Sequence, residues 1–456
     1  MTNLSDLFPA GAGKQVSFTA SGAISAAGKP VILNSAGTVT QVGLSAASSV
    51  GTPVVFEAAA TEYTAATFDS DSNKVVIAYR DEGNSNYGTA VVGTVSGDAI
   101  SYGTAVVFES SSTMFVAATF DSDSNKVVIA YLDFGNSEYG TAVVGTVSGT
   151  AISFGSPVVF ESASISGYGT GITFDSDSNK VVIAYQDGGN SGHGTAIVGT
   201  VSGTAISFGT AVVFEAAGTT YIGATFDSSN NKVVIGYKDE DNSGYGTAIV
   251  GTVSGTSISF GSATVFKASV IEATSITFDS NANKVVVAFR DEGNSSYGTA
   301  VVGTVSGTSI SFGTPVVFAT STTTYIAPTF DSSSNNVVIA YTPAAYYYGR
   351  TIQGTVSGTS ISFGTPITFE AANATFTSIT FDSNSNKVVI ACRDPNNSNY
   401  GTGVVYATTA TNLTATNFIG IADAAILDTA SGNVTIKGGI AATGLTSLTP
   451  GSDYYA

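Results

Sequence analysis

A Phe-Asp pair recurs seven times between Gly51 and Ala410, at Phe68, Phe120, Phe174, Phe226, Phe278, Phe330 and Phe381. The steps between them are 52, 54, 52, 52, 52 and 51 residues, and the text around each pair is nearly the same. Self-similarity at such a period marks a repeat architecture, in which each unit buries its apolar face against the next copy. The copies also serve as internal controls. A position that changes from copy to copy is one the unit does not require.

The first copy reads as four short strands. Ala65-Ala66-Thr67-Phe68 leads into Asp69-Ser70-Asp71-Ser72-Asn73, a cluster of turn formers. Lys74 to Tyr79 is a β-branched run of strand length, and the polar, Gly-rich stretch Arg80 to Gly88 is a loop. Thr89 to Val95 is a third strand. Ala99 to Phe108 is a long fourth one, with a bend expected at Gly103. All connections are short, so neighbouring strands are antiparallel. Four antiparallel strands repeated seven times predict an all-β fold, a seven-bladed β-propeller. Composition agrees: 43% of residues are hydrophobic, only 11% are charged, and there are 52 glycines.

The ends of the repeat region support closure of a ring. Gly51-Thr52-Pro53-Val54-Val55-Phe56 matches a fourth strand with no first three before it, and the last copy stops after its third strand at Tyr406. The orphan strand is expected to complete the last blade and hide two open edges. Residues 48–410 are then the propeller. The flanks, 1–47 and 411–456, carry no repeat. Strands are expected at Lys14–Phe18, Pro30–Asn34, Phe418–Ile421 and Asn433–Ile436, with hairpin turns at 34–37 and 429–433. Neither flank has enough apolar residues for its own core, so the two are expected to pair into one small β domain.

Several chemistries are disfavoured. A net charge of −18 argues against a nucleic-acid partner, which needs clustered Lys and Arg. His193 is the single histidine, which leaves no His-based zinc cluster and little scope for a Ser-His-Asp triad. No apolar run reaches the length of a membrane helix, so no membrane insertion is expected. The first residues lack a basic stretch followed by an apolar one, so no signal peptide is expected. Cys392 is the only cysteine and stands where other copies have tyrosine, as a small buried residue. Arg80, Arg290 and Arg393 share one slot in their blades, and Arg350 lies a few residues later in its own. That arrangement is expected to point round the ring, not into one pocket.

Two recurring motifs have architectural readings. Asp69-Ser70-Asp71-Ser72-Asn73 has the alternating oxygens of a calcium loop. Only its first Asp and last Asn recur in all seven copies, and no closing Glu follows, so a tight turn without metal or other cofactor is expected. Asp81 and its counterparts recur after the second strand. Tyr87, Tyr139, His193, Tyr245, Tyr297, Tyr348 and Tyr400 follow further on. The Asp is read as a loop cap and the aromatic as packing between blades.

The segment between the fourth strand and the next Phe-Asp behaves differently. It varies from copy to copy but keeps an aromatic: Tyr63, Phe115, Tyr168, Tyr221, Tyr325 and Phe376, with Ala273 in the fifth copy. It is expected to be a loop on the same face of the disk as the Gly-rich loop. Variable loops on a rigid scaffold are where binding usually sits. These six aromatics are therefore the candidate ligand-binding residues, a ring near the channel able to stack on sugar faces. Wedging between adjacent blades is the other reading of the same positions. No catalytic and no metal-binding residues are assigned.

The repeat text, FDSDSNKVVIAYRDEGNSNYGTAVVGTVSG, resembles repeats in predicted structural proteins of marine bacteriophages. The flanks, GKPVILNSAGTVTQV at 28–42 and FIGIADAAILDTASGNVTIKGGI from 418, are similar to segments that end tail-fibre or other virion proteins there. The resemblance implies a non-catalytic virion component, a tail fibre or appendage, made in the host cytoplasm. Its implied partners are other virion proteins and a host-surface glycan or receptor, in a homo-oligomer. A bacterial surface adhesin or filament subunit, and a polysaccharide-cleaving propeller enzyme, are the alternatives.

Overall fold

The computed structural model describes residues 15–21, 23–24, 29–33, 37–41, 48–344, 348–408, 418–422, 425–427 and 429–436. Two compact units result, residues 49–408 and the two flanks together. The larger unit is a closed ring of antiparallel sheets, with no α-helix among the described residues. Each repeat supplies a second strand (Lys74–Asp81 in blade 1) between an inner and a third strand (Tyr87–Ser96). The equivalent second strands, one per Phe-Asp pair, end with Lys387–Asp394 in blade 7.

The outer edge departs from the sequence expectation. In place of one bent strand, Ala99–Tyr102 pairs with the third strand, and the chain then breaks at Gly103 to Ala105. The variable segment beyond this break is not a loop either. Val106–Asp121 is one 16-residue strand that first pairs with the third strand of blade 1 and then with the second strand of blade 2. Outer strand, variable segment and next inner strand are thus a single crossover strand in six repeats, and a one-residue break at Ala374 divides the one that leads into blade 7. Extended backbone satisfies its polar groups on one blade and then the other, which a loop at this depth would leave unpaired.

The seventh blade is closed by the two ends of the repeat region. Tyr400–Ala407 pairs with Ser49–Val50 and with the start of Val54–Asp69. Every blade interface is built on one phenylalanine. Phe56 of the strand closing blade 7 packs on Tyr79 of blade 1 at 5.1 Å and on Tyr102 at 5.7 Å between ring centroids. It sits on Gly401, where a Cβ would lie 2.4 Å from the Phe56 ring. Phe108 on Gly88 and Phe214 on Gly194 repeat the arrangement. Four interfaces add a polar tie, the buried tyrosine of the second strand donating to a glutamate on the preceding crossover strand. These pairs are Tyr79–Glu57, Tyr131–Glu109, Tyr185–Glu161 and Tyr237–Glu215, at 2.8–3.0 Å. Where the tyrosine becomes Phe289, the glutamate becomes Lys267, which pairs instead with buried Asp291 at 2.7 Å.

The turns after the inner strands use their aspartates on backbone. Asp69 Oδ1 accepts from the N–H groups of Asp71 and Ser72, and Asn73 adopts φ 55°. Asp382 does the same for Asn384 and Ser385, with Asn386 at φ 55°. That explains why only the first Asp and last Asn recur. Asp81, Asp133, Asp187, Asp239 and Asp394 cap the next loop through backbone N–H groups.

The smaller unit is a five-stranded sheet in the order Gln15–Thr19, Ser431–Ile436, Phe418–Ala422, Pro30–Leu33, Val39–Gln41. Strands from the N-terminal flank pair directly with strands from the C-terminal one. Ile24, Val31, Val39, Ile426 and Val434 form its core. The turn expected at 429–433 is shorter, because Ser431 already belongs to the strand. Residues 34–36 of the other expected turn lie outside the described residues.

The seam between blades 7 and 1 carries a paired substitution. Tyr102 stands where later blades have Phe154, Phe208, Phe260, Phe312 and Phe363. Gly403 takes the slot that is Ala90 in blade 1, and a Cβ there would lie 1.8 Å from the Tyr102 hydroxyl oxygen. We expect Gly403→Ala to lower the melting temperature by several degrees, and Tyr102→Phe to restore it in the double variant. Additive losses in a thermal double-mutant cycle would contradict this seam.

Candidate functional site

Where each crossover strand passes from one blade to the next, it must change sheets. It does so at a bulge. Glu62 pairs with Arg80 and Ala65 with Ala78, so Tyr63 and Thr64 together oppose Tyr79. The bulged residue takes a left-handed backbone: Tyr63 φ 49°, Phe115 52°, Tyr221 51°, Ala273 50°, Tyr325 51° and Phe376 49°. Glycine adopts this conformation freely, whereas a side chain with a Cβ strains it by about 1–3 kcal/mol. Five of these six positions nevertheless carry a large aromatic.

These side chains converge on one mouth of the central channel. Tyr63, Phe115, Tyr221, Tyr325 and Phe376 line a cavity of about 440 Å³, together with Gly169, Ala273 and Arg290. The side chain of Tyr168 lies outside the described residues. Four of the rings touch in a continuous arc. Tyr63 lies 5.6 Å from Phe115 and 5.1 Å from Phe376, which in turn lies 5.4 Å from Tyr325. The planes meet at 51–72°, the tilted arrangement that aromatic quadrupoles favour. All five rings are half-buried, so the arc both packs against itself and faces the cavity.

Blade 5 interrupts the collar. Ala273 leaves a notch there, and Arg290 forms its wall, paired with Glu272 and Glu292. Across the mouth, Arg80 and Arg393 both reach Glu62, at 3.3 and 2.8 Å, and Arg393 lies 5.9 Å from the centre of the Phe376 ring. Arg290 of this slot lines the cavity, whereas Arg80 and Arg393 pair round the ring through Glu62, so the slot lies at the rim of the mouth. The reason is register: it stands opposite the residue that precedes the bulge. That cross-strand pair differs from blade to blade. It is Glu62–Arg80, Met114–Leu132, Thr220–Lys238, Glu272–Arg290, Thr324–Thr342 and Thr375–Arg393. Sequence reasoning singled out the aromatics but missed these pairs. The variation at the residue before the aromatic and at the residue before the loop Asp was the available signal.

The opposite mouth is uniform. Thr67 and Phe68 and their counterparts in all seven blades line a cavity of about 520 Å³. One end of the channel is thus seven-fold identical and the other is different in nearly every blade. Among the described residues, no group of three or more His, Cys, Asp or Glu side chains is placed to hold a metal ion.

No family model matches the sequence, and no curated protein matches it. Solved structures do. BP39L lectin from Burkholderia pseudomallei aligns with 80% of this chain and 100% of its own, at 12% identity and a TM-score of 0.55. An Aleuria aurantia lectin in complex with alpha-methyl-L-fucoside aligns with 68% of this chain and 98% of its own, at 14% identity and a TM-score of 0.43. AofleA from Arthrobotrys oligospora aligns with 73% and 93%, at 11% identity and a TM-score of 0.46. At these identities the first likeness speaks for the fold alone.

Burial displaces several carboxyl groups around the blade interfaces. Desolvation raises Glu57, Glu62, Glu161, Asp81, Asp239 and Asp279 above the ordinary carboxylate range, and Glu82 adds to the effect on Glu62. Asp98, hydrogen-bonded to Lys387, is lowered. A raised carboxyl group takes up its proton in the folded state before the unfolded one. Its contribution to stability therefore grows as pH falls through that window, and is lost as pH rises out of it. We expect a higher melting temperature at pH 5 than at pH 7 in a calorimetric pH series. A steady fall over that interval would contradict the assignment.

Proposed function

We propose that this protein is a non-catalytic glycan-binding propeller that holds its ligand in the aromatic mouth. The observation that carries this reading is the strained backbone. Folding alone would favour glycine at the bulge, yet five blades hold an aromatic there and aim it at the same cavity. Strain that recurs at one place is a mark of a functional constraint. Tilted aromatic faces beside paired Arg and Glu side chains suit a sugar, which has an apolar ring face and hydroxyls at its edge. The fold shared with a protein named a lectin is consistent with this use. The setting we propose rests on the sequence resemblance: a phage virion appendage, tail-fibre-like and homo-oligomeric, that touches host-surface glycan.

A glycan-array screen tests the reading. Retention of a glycan without release of sugar product is the expected result, and product release would favour an enzyme. Tyr63→Gly combined with Phe376→Gly removes two rings and relieves two strained positions. Binding to the retained glycan should weaken at least about tenfold, equivalent to about 1.4 kcal/mol. The melting temperature should stay within a few degrees. Unchanged binding with a large loss of stability would make the aromatics purely structural.

A further inference from the structure

Arg290 stands in the wall of the aromatic mouth, and its charge is already taken. Glu272 lies opposite it in register, Glu292 follows two residues later, and both carboxylates grip the one guanidinium. Ser296 donates to Glu292 at 2.8 Å and fixes that second carboxylate. Among the described residues that line the cavity, Arg290 and Glu272 are the only charged side chains. The polar side of the mouth thus sets one cation against two acids.

The same excess of acid runs round the rim. Arg80 and Arg393 share Glu62, and Glu82 comes within 4.0 Å of Arg393. Lys238 pairs with Glu240 at 3.1 Å. In blades 2 and 6 the rim pair carries no charge, being Met114 with Leu132 and Thr324 with Thr342. An anionic sugar could reach Arg290 only by displacing one of its glutamates, which would then stand unpaired beside the incoming charge. Like charges set side by side in a half-enclosed site are strongly unfavourable. A hydroxyl meets no such cost, because it donates to the carboxylate lone pairs that Arg290 leaves open.

We infer that the mouth selects sugars that are uncharged at neutral pH, and that Glu272 and Glu292 are the residues that turn acidic ones away. This rests on the glycan-binding reading above and adds the class of sugar. The ring stacks on the aromatic arc, and its hydroxyls face the acid-rich side at blade 5. A uronate, sulfate or phosphate group in the same place is repelled.

An array of matched pairs decides the charge rule, each pair showing one sugar with a hydroxymethyl group and again with a carboxylate in its place. The hydroxymethyl member should be retained, and the carboxylate member should bind at least about tenfold more weakly. Equal or tighter binding of the carboxylate member overturns the rule while leaving glycan binding intact. Binding of neither member in any pair overturns the glycan reading and this inference with it. Glu272→Gln combined with Glu292→Gln frees Arg290, and affinity for the carboxylate member relative to its partner should rise about tenfold. Glu292→Gln alone, which leaves the cavity lining as it is, should raise that ratio by a smaller factor. An unchanged ratio in variants that melt like the parent overturns the role of the two glutamates.

Discussion

Everything in this protein depends on a phenylalanine seated on a glycine across the boundary between blades. Phe56 on Gly401, Phe108 on Gly88 and their counterparts fill the space that a Cβ would occupy. At six interfaces the ring then packs against the buried aromatic of the next blade's second strand, as Phe108 does on Tyr131, and at the seventh Phe369 shares its cluster with Cys392. A single four-stranded sheet has no partner for its apolar faces, so its stability comes from its neighbours. The interface is therefore the unit of stability, and the ring is what repeating it closes. The Tyr–Glu ties add direction, since a buried phenol finds its acceptor only when the two blades are in register.

That interface also dictates the crossover strand. A strand that starts at the outer edge of one blade and ends at the inner edge of the next must change partners midway. The bulge is how it does so, and the left-handed residue follows from the bulge. Architecture thus sets a position in every blade where the backbone is bent toward the channel. Function is then a matter of which side chain stands there. With a glycine the mouth would be wide and bland. With an aromatic it becomes a collar, and with Ala273 in blade 5 the collar acquires a polar side. The opposite mouth, uniform in its Thr and Phe, shows what the ring looks like where no such variation is present.

The fold was largely legible because the repeat prints each element seven times. The Asp69 to Asn73 turn and the orphan strand at Val54 could both be read from residues alone. The crossover strand could not. Its variable stretch, such as Glu57 to Tyr63, mixes alanine with Glu and Thr and shows no strand alternation, and only pairing with two different sheets makes it extended. The aromatic positions were visible as a pattern. That Tyr63, Phe376 and Tyr325 touch in an arc depended on ring closure bringing blade 7 against blade 1, which sequence distance conceals. The rim pairs escaped for the same reason: Glu62 and Arg80 look unrelated until register sets them opposite each other.

A mouth on the axis exists once per ring, whereas a groove between blades would recur around it. Calorimetric titration of the intact chain with a glycan retained on the array therefore bears most directly on the account. Saturation at one glycan per chain is the predicted result. Saturation at several equivalent glycans per chain would place the ligand between the blades and contradict a single site in the aromatic mouth.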